Sequence, residues 1–575
     1  MKKCLKKESI ISIIATCILF ALTIICFDIT YALNDDLAIQ GIISGTFAGK
    51  SCAFTYYLSF PIGLILALLY TIIPAINWMG IFFIACYFVG IYLILKRLLF
   101  LREEKNSKAY LFGIGLVVFF AYILSGVVLL HYTVLAAFCG GVGLALFITN
   151  TSKEKLLKTN ISSLVFILLS YLIREKVFYM MVPFFLVAFL IKLVWEMDGS
   201  EEKKFGAKLR TSLKKYAKFL HVLLGAFILL VVLNKIPYLS KDYKEYASFN
   251  EARTTLYDYV GVRETIGAMN YYSDHGIDRA EYDLLKSYNI MLDNDMTADV
   301  KAMSKYKAAS NSKENLAGAI YLYKESVLKK TSVFKDISFF PYNYMIAILY
   351  IAALVLILKH KKYFQLISLI GLGIVRSGLF IYLFYNGRFP TRVISSLFIM
   401  EAAVLLAFMA LLSLNEKKYS LAKMVPMVTA LVLLIGAYYN LGNLHTDYEK
   451  QLTVNKNEDV LYSYMANNPQ NFYFMDVYAS VYRTEKVFKD YKPDFENYMI
   501  FGGWLSGHPI VDKKTSKAGL PNNIKECLAD SSSRLVTRKD VGWQIEDYEN
   551  YLQHAFTLEE TLTCEDGSVF YVYKY

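Results

Sequence analysis

The sequence predicts a mainly α-helical protein: a polytopic transmembrane bundle of about eleven spans followed by an extracytoplasmic α/β domain. Three observations lead there. The chain of 575 residues is 56% hydrophobic and has a mean hydropathy of +0.38, well beyond what soluble domains carry. Its apolar residues gather into runs of bilayer-crossing length, which takes about 20 residues. Its Lys and Arg residues sit between those runs and alternate in density from one connection to the next.

The runs fall at 9–33, 78–95, 110–129, 132–149, 161–173, 177–195, 219–235, 340–358, 364–385, 393–413 and 424–443. One set of connections holds roughly 25 Lys and Arg, including Lys2, Lys3, Lys6, Lys7, Lys96, Arg97, Arg102, Lys153, Lys155, Lys203, Lys359, Lys417, Lys418 and Lys423. The other short connections hold Lys50, Arg174, Lys176, Arg388 and Arg392. Cytoplasmic loops are the basic ones, so this asymmetry predicts a cytoplasmic N-terminus and an extracytoplasmic C-terminus in the cell membrane. The opening MKKCLKKESI and the apolar run behind it read as an uncleaved anchor, because the run is too long for a cleaved leader. Trp78 and Trp195 stand at span ends, where indoles favour the interface.

One run breaks the alternation. Phe60 to Pro74 is apolar, short and bracketed by prolines, and counting it as a span would put Lys96 outside. It is expected as a helix lying along or dipping into the outer leaflet. Residues 34–77 then form a first outer loop and 237–339 a large, tyrosine-rich one, with helical stretches at Tyr282–Met291 and Lys313–Lys329. Together, 1–443 make the membrane domain. The tail, 444–575, alternates β-like runs such as NFYFMDV and SVFYVYKY with helix-like Pro521–Ala529 and Asp547–Ala555, which predicts a small α/β fold. A turn-rich GGWLSGHP spans Gly502 to Pro509.

The net charge of +12 belongs to topology and carries no nucleic-acid affinity. No P-loop, G-x-G-x-x-G, internal repeat or low-complexity tract occurs, so nothing points to nucleotide use. Eight cysteines show no zinc spacing. Cys17, Cys26, Cys86 and Cys139 read as small hydrophobes, while Cys527 and Cys564 could pair if exported.

Chemistry is expected at Asp35 and Asp36, directly after the first apolar run. Carboxylates there are costly unless they face water, a partner or a polar cavity. They fit the cap of the next short helix, or a general base or metal ligand at the membrane boundary. Arg174, Glu175 and Lys176 form the tip between two spans. Arg388 and Arg392 flank Pro390 and can present two guanidinium groups to one anion, most naturally a phosphate; lipid headgroups are the alternative. Arg376 lies midway along its span and must pair or face a cavity, with Glu401 as candidate partner. Arg253 and Asp258 fit a local salt-bridged helix. The 46 tyrosines suit either sugar stacking or the membrane interface.

The pieces NDDLAIQGIISG, FPIGLILALLYTIIP and GGWLSGHP, in this order around a first span and a second span ending in basic residues, resemble the GT-C fold. That family comprises membrane glycosyltransferases that take sugar from a lipid carrier. The resemblance covers the N-terminal hundred residues best and the rest in architecture; the loop at 237–339 departs from it. It implies Asp35 or Asp36 as catalytic base, and a polyprenyl-phosphate sugar as donor. It also implies a cell-envelope glycan, lipid or protein acceptor, with leaving phosphate held by Arg174, Arg388 or Arg392. Glu175 and Arg376 complete the candidate substrate-binding set. No nucleotide site is required, no cofactor is assigned, and a divalent cation is left open. A lipid or polysaccharide transporter, a polysaccharide polymerase or ligase, and an envelope scaffold are the competing readings.

Overall fold

The structure, a computed structural model, describes residues 2–101, 105–151, 156–202, 204–290, 292, 296–306, 312–328, 339–413, 424–479, 481–539 and 545–575. Of the sequence expectations, those on Arg102, Lys153, Lys155, Lys203, Met291, Lys329, Lys417, Lys418 and Lys423 lie outside the described residues.

The chain is mainly helical. Among the described residues nine helices are long and apolar enough to cross a membrane: Lys7–Cys26, Trp78–Phe100, Lys108–Val128, Glu175–Asp198, Phe205–Leu239, Tyr342–Lys359, Gln365–Tyr385, Thr391–Leu412 and Met427–Asn467. Three apolar helices are shorter: Phe60–Ile72, Tyr132–Ile148 and Ile161–Ile173. Phe205–Leu239 leaves Leu224, Ile228, Leu229, Val232 and Leu233 exposed. Apolar surface on that scale needs a bilayer rather than water.

Tyr132–Ile148 is the centre of the bundle, touched by Trp78–Phe100, Ile161–Ile173, Glu175–Asp198 and Thr391–Leu412. Its glycines permit this crowding. A Cβ on Gly143 would lie 2.7 Å from Ile167, and Ser163 Oγ donates to the Gly143 carbonyl at 2.7 Å. Small residues let helix backbones approach this closely in lipid.

The first helix stops at Cys26, short of the expected Leu33. Beyond it the backbone is taken by strand pairing: β1 (Thr30–Tyr31) runs parallel to β2 (Leu129–Leu130) and Thr30 bridges antiparallel to Lys486. Asp35 and Asp36 therefore open a separate helix, Asn34–Ser44. The Phe60–Ile72 helix starts with proline in its first turn, as suits a residue without an N–H, and leaves Leu64, Ile65, Leu68 and Ile72 exposed.

The last long helix runs unbroken through 443 and 444 to Asn467, so the expected domain boundary falls inside one continuous element. A five-stranded sheet follows: β3 (Phe472–Met475), β4 (Tyr498–Ile500), β5 (Ser533–Arg538), β6 (Thr557–Thr563) and β7 (Val569–Lys574), in the order β4-β3-β5-β7-β6. β3 is parallel to β4 and β5, while β7 is antiparallel to β5 and β6. Cys527 and Cys564 are both buried and unpaired, in separate apolar clusters. The described part of residues 237–339 adds the helices Lys241–Arg253, Ile266–Asp274, Arg279–Lys286, Met296–Met303 and Ser312–Leu328.

Within the bundle, Arg376 donates to Glu401 at 2.8 Å and to the side-chain carbonyl of Asn343. Tyr350 donates to the other Glu401 oxygen at 2.9 Å. Each charge is satisfied by the other, so removing one alone strands its partner in a low-dielectric interior. Arg376→Met is expected to cost about 3–5 kcal/mol, and Arg376→Met/Glu401→Leu distinctly less. Thermal unfolding in detergent checks this; equal losses would contradict a paired role.

Candidate functional site

A cavity of about 900 Å³ opens between the helical bundle, the 237–339 region and the sheet. It is reached by side chains from segments far apart in sequence, which form three groups.

The first is the carboxylate. Asp35 lies in the first turn of Asn34–Ser44 and lines the cavity. Trp504 Nε1 donates to its Oδ1 at 3.0 Å. Asp36 goes the other way. It is fully buried and its Oδ1 accepts from the Tyr132 backbone N–H at 3.2 Å, with His131 Nδ1 3.3 Å away. A negative charge at the N-terminus of Tyr132–Ile148 is favourable there, so Asp36 holds a helix end and does not line the cavity. Successive residues on a helix are about 100° apart, which turns neighbouring carboxylates to different faces.

The second is the basic wall. Arg174 is the extended residue between Ile161–Ile173 and Glu175–Asp198. Its guanidinium lies 4.5 Å from the Tyr57 ring centre and 5.3 Å from that of Tyr132, and these two rings stack at 5.7 Å. Arg388 sits in the turn before Thr391–Leu412, just after Gly387 at φ 63°, and pairs with Asp258. Arg392, in the first turn of that helix, has no ion pair among the described residues. Lys176 and Arg253 line the same space. Arg253 is buried, bonded to Asn250 at 2.6 Å and to the Tyr288 hydroxyl, where its helix loosens into a π-helical turn at Thr254–Val260. Burial, with the neighbouring Arg392, Arg253 and Arg174, pulls Arg388 down to about 10. It stays cationic at neutral pH, and so much unbalanced positive charge in a partly dry cavity favours an anion.

The third is the wall from the sheet. Arg483, Glu485 and Glu496 line it. Arg483 covers the Tyr462 ring at 3.9 Å and bonds Asp459 at 2.9 Å. Glu496 accepts from Thr46 Oγ1 at 3.1 Å. Glu485 is raised to about 7, chiefly by burial and further by Glu496 and Asp490, against the lowering effect of Arg483. Tyr56 and Tyr288, both cavity-lining, have φ of 60° and 75°. Such left-handed backbone at bulky residues is held only where its surroundings enforce it.

Of the residues expected from sequence, the cavity thus joins Asp35, Arg174, Arg388 and Arg392. It does not include Asp36, Glu175 or Arg376. Glu175 pairs with Lys235 at 3.2 Å, and Arg376 is committed to Glu401. Arg253, read from sequence as part of a local helix, belongs to the wall. Tyr57, Tyr132, Arg483, Glu485, Glu496 and Trp504 were not anticipated; GGWLSGHP was the one visible signal, for Trp504. No group of three or more His, Cys, Asp and Glu side chains that could hold a metal ion occurs among the described residues. No protein-family model, curated protein or solved structure matches this chain.

The geometry offers a carboxylate with one oxygen unpartnered among the described residues, a cluster of cations and stacked aromatic rings in one chamber. That set suits proton abstraction beside an anionic leaving group. Glu485 also makes stability depend on pH. The folded chain keeps its proton to about pH 7, whereas the unfolded carboxyl releases it near 4.5, so stability falls as pH rises between those values. Glu485→Gln is expected to raise the unfolding midpoint more at pH 8 than at pH 4.5. An equal change at both would contradict the burial.

Proposed function

We propose that this chain is a membrane glycosyltransferase of GT-C architecture, which moves a sugar from a polyprenyl-phosphate donor to a hydroxyl of an envelope acceptor. The observation that carries this reading is the convergence of Asp35 with Arg174, Arg388 and Arg392 on one cavity. In this reading Tyr132–Ile148 and Ile161–Ile173 join the nine longer helices as spans, giving eleven. The N-terminus is then cytoplasmic, and the cavity and sheet face outward.

Asp35 takes the proton of the acceptor hydroxyl as that oxygen bonds to the anomeric carbon. The bond from that carbon to the lipid phosphate breaks, and the phosphate leaves with the electron pair. The arginines meet the charge that develops on it. Contacts of this kind contribute about 2.7–4 kcal/mol each, or about 100- to 1000-fold in rate. The rings of Tyr57 and Tyr132 give the sugar apolar faces to lie against. A transport path through the bundle is less well supported, because Arg376 and Glu401, the charges it would use, neutralise each other.

Asp35→Asn is expected to lower polyprenyl-phosphate release about 100-fold or more in native membranes supplied with polyprenyl-phosphate hexoses, with the protein still folded. Asp36→Asn should instead lower the unfolding midpoint. Full turnover by the Asp35 variant would exclude it as base. Arg392→Ala, which breaks no ion pair among the described residues, should weaken binding of polyprenyl phosphate and leave thermal stability unchanged. Unaltered binding would remove Arg392 from the phosphate site.

A further inference from the structure

The GGWLSGHP segment is fastened to the cavity more tightly than a surface turn requires. Gly502 adopts φ +77°, and a Cβ there would lie 1.9 Å from the Tyr288 carbonyl oxygen, so only glycine fits this approach. Tyr246 donates to the Trp504 carbonyl at 2.8 Å. His508 Nδ1 accepts from the Ile510 N–H at 3.0 Å, which leaves Nε2 to donate to the Phe54 carbonyl at 3.1 Å. Burial lowers His508 to about 3, so the imidazole is neutral, as these two bonds demand. These contacts come from the first loop, the 237–339 region and Ile510 just beyond the segment, and they hold the backbone without using the indole.

The indole therefore has a separate task. Its ring meets Tyr57 edge-on at 5.0 Å, and its N–H, a donor only, reaches Asp35 Oδ1 at 3.0 Å. Asp35 Oδ2 has no hydrogen-bond partner among the described residues and belongs to a cavity-lining side chain. We propose that Trp504 is a positioning residue, which holds one oxygen of Asp35 and presents the other to the cavity, so that the chain beyond Asn467 completes the catalytic site. This rests on the glycosyltransferase reading for its consequence but not for its geometry.

Two measurements on the full chain test it. With Trp504 as the sole tryptophan (W78F/W195F/W543F), its emission spectrum should shift on Asp35→Asn and not on Asp36→Asn. An identical spectrum with and without the Asp35 carboxylate would overturn the contact. In native membranes given polyprenyl-phosphate glucose, Trp504→Phe should lower kcat about tenfold with donor KM within about twofold, since the charge-assisted bond orients the base and touches no phosphate. An unchanged kcat, or a loss confined to KM, would overturn the positioning role. Absence of turnover by the parent chain would count against the proposed function, while the emission comparison still decides whether Trp504 holds Asp35.

Discussion

The backbone pairing between Ile29–Tyr31 and Glu485–Val487 is the interaction on which the rest of the arrangement depends. The Tyr31 N–H reaches the Glu485 carbonyl at 3.0 Å and the Val487 N–H reaches the Ile29 carbonyl at 2.8 Å. Asn77 adds a side-chain bond to the Val487 carbonyl at 2.7 Å. These contacts join parts of the chain more than four hundred residues apart and bring a sheet wall up to a helical bundle. Without them Glu485 would have no reason to line the same cavity as Asp35, nor Trp504 to reach its carboxylate. The same pairing ends the first long helix early and so gives the aspartates a helix of their own.

Charge sets the character of the space enclosed. Arg174, Lys176, Arg253, Arg388, Arg392 and Arg483 line it against Asp35, Asp258, Glu485 and Glu496. The acids are not spread evenly: Asp258 bridges toward Arg388 and Arg253, whereas Arg392 has no ion pair among the described residues. Interactions between partly buried charges are screened far less than those in water. An incoming phosphate would therefore find its counter-charges already assembled, without the reorganisation that solvent would require. Aromatic neighbours take part in this. Tyr57 and Tyr132 hold Arg174 by cation–π contact, and no carboxylate among the described residues pairs with it.

Much of this was legible in the sequence, and for definite reasons. Long apolar runs and the spacing of basic loops depend on local composition, so the helical bundle could be read directly. Arg388 and Arg392 are four apart around a proline, which made their shared direction foreseeable. The roles of Asp35 and Asp36 were not separable, because two adjacent carboxylates look alike until a helix turns them apart. Arg376 had to pair or face a cavity, and Glu401 was its candidate partner from sequence; the completing bonds from Asn343 and Tyr350 had no local signal. Glu485 had no local signal whatever: only the long-range strand bridge brings it to the cavity. The strands at 472–475 and 569–574 matched their β-branched and aromatic runs, but the partners of those strands could not be inferred from them.

The 44-residue helix Met424–Asn467 has a mechanical consequence. At 1.5 Å per residue it is a rod of about 66 Å, much longer than the hydrocarbon thickness of about 30 Å, and it carries no hinge where bundle gives way to sheet. Tyr462, near its far end, lines the cavity, while Asn440 is tied to the bundle through the Phe120 carbonyl at 2.8 Å. A change of tilt forced by a thicker or thinner bilayer would, through such an unbroken rod, be carried from the bundle to the chamber's wall.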